Sequence, residues 1–104
     1  MKLLIVPIAL FCLVSSCIET VKIAPTIQEL GVSDNQTRLE LGRSLYVNRC
    51  SKCHNALRIT RFTLSQWSDI LPDMTYRSKF TPEQSEAVTA YIHAVLRSSS
   101  ASTK

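Results

Sequence analysis

No stretch of this chain alternates apolar and polar residues as a half-buried strand would. That removes the strand–helix setting in which a dithiol redox motif of the thioredoxin kind is normally found. Histidine is scarce, with only His54 and His93 present. A structural zinc site needs four ligands. Outside Cys50 to His54, the body of the chain offers only His93 as a further soft ligand, which weighs against zinc. Cysteine is limited to Cys12, Cys17, Cys50 and Cys53, too few for a disulfide framework once each has been assigned. A lone disulfide between Cys50 and Cys53 would close only a very small loop. There are two glycines, and no internal repeat is visible. Charged residues at 19% and hydrophobic residues at 45% are ordinary for a globular protein, and 104 residues allow one small domain.

What the chain does have is Cys50-Ser51-Lys52-Cys53-His54. Two thiols three positions apart can each add across one vinyl group of a haem, and the next histidine can bond the iron from one side. This spacing is that of c-type haem attachment. Cys50 and Cys53 are therefore the candidate thioether residues of a single covalent haem c. His54 is the candidate proximal ligand.

The start of the chain points to export. Met1-Lys2 is positive, Leu3 to Val14 is an apolar run broken by Pro7, and Ser15 and Ser16 follow. The run is too short and wrongly flanked for a membrane-spanning helix and reads as a signal peptide over residues 1–16. Val14-Ser15-Ser16-Cys17 resembles the bacterial lipoprotein signal, in which the cysteine becomes the lipidated first residue. That resemblance implies acyl chains on Cys17, and several chains anchor far more firmly than one. Ile18 rather than an aspartate follows, the pattern of an outer-membrane destination. The alternative is a plain signal peptide and a soluble periplasmic protein. Residues 17–32, with Pro25 and Gly31, show no sustained period and read as a lipidated N-terminus and flexible tether.

Three helices are expected beyond the tether. Ser33 and Gln36 have capping-box spacing ahead of a helix over residues 34–49, in which Leu39, Gly42 and Tyr46 share a face. Gly42 costs roughly 1 kcal/mol against alanine inside a helix. Close approach of another helix would explain it, as would accident. Thr63 and Gln66 repeat the spacing ahead of a short helix carrying Trp67, Ile70 and Leu71. Pro72 is expected to end or kink that helix, leaving Asp73, Met74 and Thr75 on a loop or frayed turn. Thr81, Pro82 and Gln84 start a third helix to about Arg97, with Val88, Tyr91, Ile92 and Val95 as its apolar stripe. Residues 98–104 contain little that could pack and are expected to be a disordered tail.

The second axial position on the iron decides between electron transfer and ligand binding. His93 lies away from the apolar stripe of its helix and is expected on the surface. Met74 follows His54 by twenty residues. A thioether is a soft ligand, and methionine–histidine ligation raises the reduction potential. Met74 is thus the candidate distal ligand, with gap-filling in the core as its bland alternative.

Taken in order, Leu41-Gly42, Tyr46, Cys50 to His54, Trp67, Ile70, Met74, Thr81-Pro82-Glu83 and Tyr91-Ile92 resemble a small monohaem class I-type cytochrome c over about residues 36–97. The resemblance implies an all-α domain, residues 33–97, of about three helices packed around a covalent haem. Its first and last helices would cross near Gly42, Tyr46 and Tyr91. It also implies Met74 as distal ligand. The segment from His54 to Met74 is shorter than in many such proteins and lacks their long glycine- and proline-rich loop.

The expected function is single-electron transfer in the bacterial cell envelope, not enzymatic catalysis. The rival readings are a ligand-binding haem protein, as a gas sensor or weak peroxidase, and a haem subunit of a larger oxidoreductase. Formal net charge is +4, or +3 without Lys2. Arg43, Arg49, Lys52, Arg58, Arg61, Arg77 and Lys79 could pair with propionates or steer an acidic redox partner of the envelope. An exported haem protein is a poor candidate for nucleic-acid binding. About 65 ordered residues bury only a modest core, so the chain without haem is expected to fold poorly.

Overall fold

A computed structural model describes residues 23–50 and 57–102, with side chains for 23–50 and 57–100. Among these residues the elements are all helical: α1 (Ile27–Leu30), α2 (Gln36–Asn48), a 3-10 turn (Ile59–Arg61), α3 (Leu64–Arg77) and α4 (Pro82–Ser102). No strand occurs among them, in line with the expected all-α class. No described helix is long and apolar enough to cross a membrane. The expected signal peptide, Cys17 and the first part of the expected tether lie outside the described residues.

The organising contact is the crossing of α2 and α4. A Cβ built on Gly42 would overlap the carbonyl of Ala87 and lie 2.8 Å from Tyr91 Cβ. Only hydrogen fits there, so Gly42 marks a close approach of two helices and its cost in helix propensity is compensated by packing. Leu39, Leu45 and Tyr46 from α2 and Val88, Tyr91, Ile92 and Val95 from α4 are buried around that point. They match the apolar stripes read from the sequence.

Helix α3 starts where the sequence places it. Thr63 Oγ1 accepts from the N–H of Gln66, and Gln66 Oε1 accepts from the N–H of Thr63 at 2.8 Å. Thr81 and Gln84 make the same reciprocal pair ahead of α4. At α2 the expected box does not form. Its N-cap is Asn35, in the left-handed region at φ 55°, and Gln36 turns its side-chain amide back to the carbonyl of Val32.

Three expectations need correction. Pro72 lies inside α3, which runs on to Arg77, so Asp73, Met74 and Thr75 are helical rather than on a loop. A proline removes the bond to the carbonyl four residues before it. Here Ser68 and Pro72 are both exposed, so water can serve that carbonyl. The second half of the expected tether is folded onto the domain. Ala24 is fully buried and Ile27 is 2% exposed. Tyr91 donates its hydroxyl to the carbonyl of Pro25 at 2.6 Å, and Arg43 Nε donates to that of Ala24 at 3.0 Å. Thr26 and Glu29 form a capping box that starts α1. Finally, α4 extends to Ser102 instead of giving way to a disordered tail at residue 98.

Candidate haem site

Helix α2 leads into Cys50, the first residue of the candidate haem motif. Its last turn is closed by the N–H of Arg49 donating to the carbonyl of Leu45 at 2.8 Å, and Cys50 follows. Cys50 is 5% exposed and belongs to the same buried cluster as Tyr46, Trp67 and Leu71. The crossing at Gly42 therefore fixes the helix that fixes Cys50. Cys53 and His54 lie outside the described residues, as does Lys52.

The chain returns at Leu57, where the hydroxyl of Tyr46 donates to the Leu57 carbonyl. Two residues on, the Ile59 carbonyl accepts from Trp67 Nε1 at 2.8 Å. The segment that follows the motif is thus pinned to α2 by a tyrosine and to α3 by a tryptophan. The rings of these two side chains meet edge to face at 6.2 Å, and Phe62 meets Trp67 in the same manner at 5.4 Å. Such pairs add about 1 kcal/mol each beyond burial. Burial, and to a lesser extent the nearby Cys50, pushes the Tyr46 hydroxyl above the ordinary tyrosine range, so it stays a donor.

Met74 is half-buried on α3 and packs against the cluster that contains Cys50. A chain of two hydrogen bonds runs from Arg49, the residue before the candidate motif, to the Met74 carbonyl. Arg49 Nη2 donates to the carbonyl of Ser78 at 2.8 Å, and the N–H of Ser78 donates to the carbonyl of Met74 at 2.9 Å. His93 is half-buried on α4, lining clefts beside Leu71 and Phe62, rather than fully on the surface. Among the described residues no group of three or more His, Cys, Asp or Glu side chains comes together.

The chemistry of the described residues is compatible with a covalently held porphyrin. The tryptophan and the two core tyrosines spend their polar atoms on backbone carbonyls. No buried side-chain nitrogen or oxygen among the described residues lacks a partner. The core that holds Cys50 and against which Met74 packs is therefore apolar, and the two residues add sulfur, a donor type found among haem ligands and attachments.

Of the seven basic residues considered for propionates or a partner, several are already engaged. Arg43 and Arg49 serve backbone carbonyls, and Arg77 pairs with Asp73 at 2.9 Å on the exposed face of α3. Arg58, Arg61 and Lys79 are exposed. The role of Arg49 was not legible beforehand, because its partner lies 29 residues away.

Comparison with protein-family models, with curated proteins and with solved structures finds no match.

Proposed function

We propose that this protein carries one covalently attached haem c and transfers single electrons in the bacterial cell envelope. The observation that carries the reading is the Cys50-x-x-Cys53-His54 motif set at the end of a helix whose position is locked by the Gly42 crossing, with Cys50 buried beside aromatic walls. Cys50 and Cys53 would hold the group through thioethers, with His54 and Met74 as its axial ligands. When bound, haem supplies a one-electron change between ferrous and ferric iron.

The chain's own part is to hold and to shield. Tyr46 and Trp67 clamp the backbone after the motif, so the ligand-bearing segment is tied at both ends. Leu71, Ile59 and Trp67 keep water from the buried side. Arg58, Arg61 and Lys79, exposed near the two ends of that segment, would steer an acidic redox protein. Lipidation at Cys17 would keep the domain at a membrane, the outer membrane by the residue that follows. None of these roles requires an acid, a base or a nucleophile.

Mass spectrometry of protein matured in a competent bacterium tests the attachment: the peptide holding Cys50 and Cys53 should gain roughly 616 Da. A bare peptide would remove the reading. The ligand set is tested by the far-red band of ferric iron–methionine bonding at about 695 nm. It should be present in the parent protein and absent in Met74→Ala. A protein without the band, binding cyanide or carbon monoxide readily, would instead be a ligand-binding haem protein.

A further inference from the structure

Helix α3 ends in an unusual stop. The N–H of Lys79 donates to the carbonyl of Tyr76 and the N–H of Phe80 to that of Thr75, both at 3.0 Å, which is the double bond pattern of a Schellman motif. The left-handed position of that motif normally falls to glycine. Here Lys79 occupies it at φ 57°, a conformation that costs an L-residue with a side chain. In this motif the residue at the place of Phe80 commonly packs on the residue at the place of Met74. Both side chains pack against the same buried cluster. A strained stop directly after the candidate ligand needs support from outside the helix.

Arg49 supplies it. Its main chain is held as the C-cap of α2. Its guanidinium donates to the carbonyl of Ser78 at 2.8 Å and lies 5.2 Å from the centroid of the Phe80 ring. One half-buried side chain thus grips the cap residue and the aromatic residue of the α3 stop together, from the position immediately before Cys50. The planar fork of arginine suits this double task, donating in its plane while its face meets the ring.

We propose that Arg49 is a positioning residue for Met74, bracing the end of α3 so that the thioether is held toward the haem carried from Cys50. The proposal rests on Met74 being an iron ligand. It makes Arg49 neither a propionate partner nor a docking residue. Without the brace the α3 stop relaxes, Met74 spends more time off the iron, and an added ligand competes more easily. An outside ligand binds more tightly in proportion to the fraction of molecules with the site open.

The test is an imidazole titration of the ferric, fully matured protein, followed at about 695 nm, with helix melting measured in parallel. Arg49→Ala should bind imidazole about tenfold more tightly than the parent and show a weaker band. Arg49→Lys should lie between the two, keeping the charge and losing the fork. Phe80→Leu should move in the same direction by a smaller factor and serves if Arg49→Ala does not mature. Thr81→Ala, which loses the cap of α4, should lower melting without changing imidazole affinity. Arg49→Ala and Phe80→Leu with parental imidazole affinity, or with no more change than Thr81→Ala, would overturn the brace while leaving the ligand set intact. A Met74→Ala protein with the parent's band and imidazole affinity would overturn the ligand assignment and the brace with it.

Discussion

Helices α2 and α4 meet backbone to backbone, while α3 reaches the same core through Trp67 and Leu71. At the first contact a single hydrogen on Gly42 stands against the main chain of Ala87. At the second, an indole ring buried to 1% exposure fills the space between three elements and ends on the Ile59 carbonyl. The two designs fail differently. A backbone contact tolerates no added atom, whereas a side-chain anchor tolerates no lost one. The difference also divides the candidate site: Cys50 belongs to the rigid crossing, and Met74 to the helix hung on side chains.

The sharpest way to break this comparison is to remove the anchor. Trp67→Ala should cost about 4 kcal/mol in urea denaturation of the matured protein. It should also loosen Met74, seen as loss of the far-red band before the helices melt. Simultaneous loss of band and helix would place α3 in the rigid unit and erase the distinction. Next in size, Gly42→Val should cost about 3 kcal/mol, because the obstacle is main chain rather than a flexible side-chain end. A stable Gly42→Val protein would show that the two helices can separate cheaply.

Smaller effects refine the picture. Tyr91→Phe removes the hydrogen bond to Pro25 and should cost about 1 kcal/mol, with faster proteolysis at Lys22. It bears on pH as well. Burial raises the hydroxyls of Tyr46 and Tyr91 above their ordinary value of 10.0, with Arg43 only partly opposing this at Tyr91. Their contribution is therefore full below pH 10 and falls as pH rises further, since the unfolded chain ionises first. Chemical denaturation against pH should show that decline, shallower in Tyr91→Phe. The smallest change is a gain: Lys79→Gly relieves the left-handed position and should add about 0.5 kcal/mol. A loss would mean that the Lys79 side chain contributes more than its backbone costs.

How far the sequence was legible follows the same division. Local signals read well. The Thr63 and Thr81 caps require only residues three apart, and each forms as expected. Gly42 could be read either way, and the Ala87 carbonyl decides for close packing. The misreadings arose where a local rule met tertiary context. Pro72 stays inside a helix at a turn where Ser68 and Pro72 are both exposed, so the freed carbonyl can be served by water. The Ser33–Gln36 spacing gives no box because Asn35 takes the cap. The Thr26–Glu29 spacing is equally local but lies in a segment whose lack of period predicts a tether, and its buried face shows only once Tyr91 and Arg43 reach back to it. The reading of Cys50, Cys53 and His54 as haem residues rests on their spacing and stays a proposal, whereas the Arg49 contact with Ser78 required knowing which distant turn lies beside it.

The strap that Tyr91 and Arg43 place on residues 24 and 25 has a mechanical consequence for an anchored protein. Were Cys17 lipidated as proposed, residues 18–22 would separate the anchor from Ile23, where the described fold begins. Five residues drawn straight span at most about 18 Å. An anchor at that separation would hold the domain close to the lipid headgroups. Under the proposed function, an electron partner would then have to come to the bilayer surface.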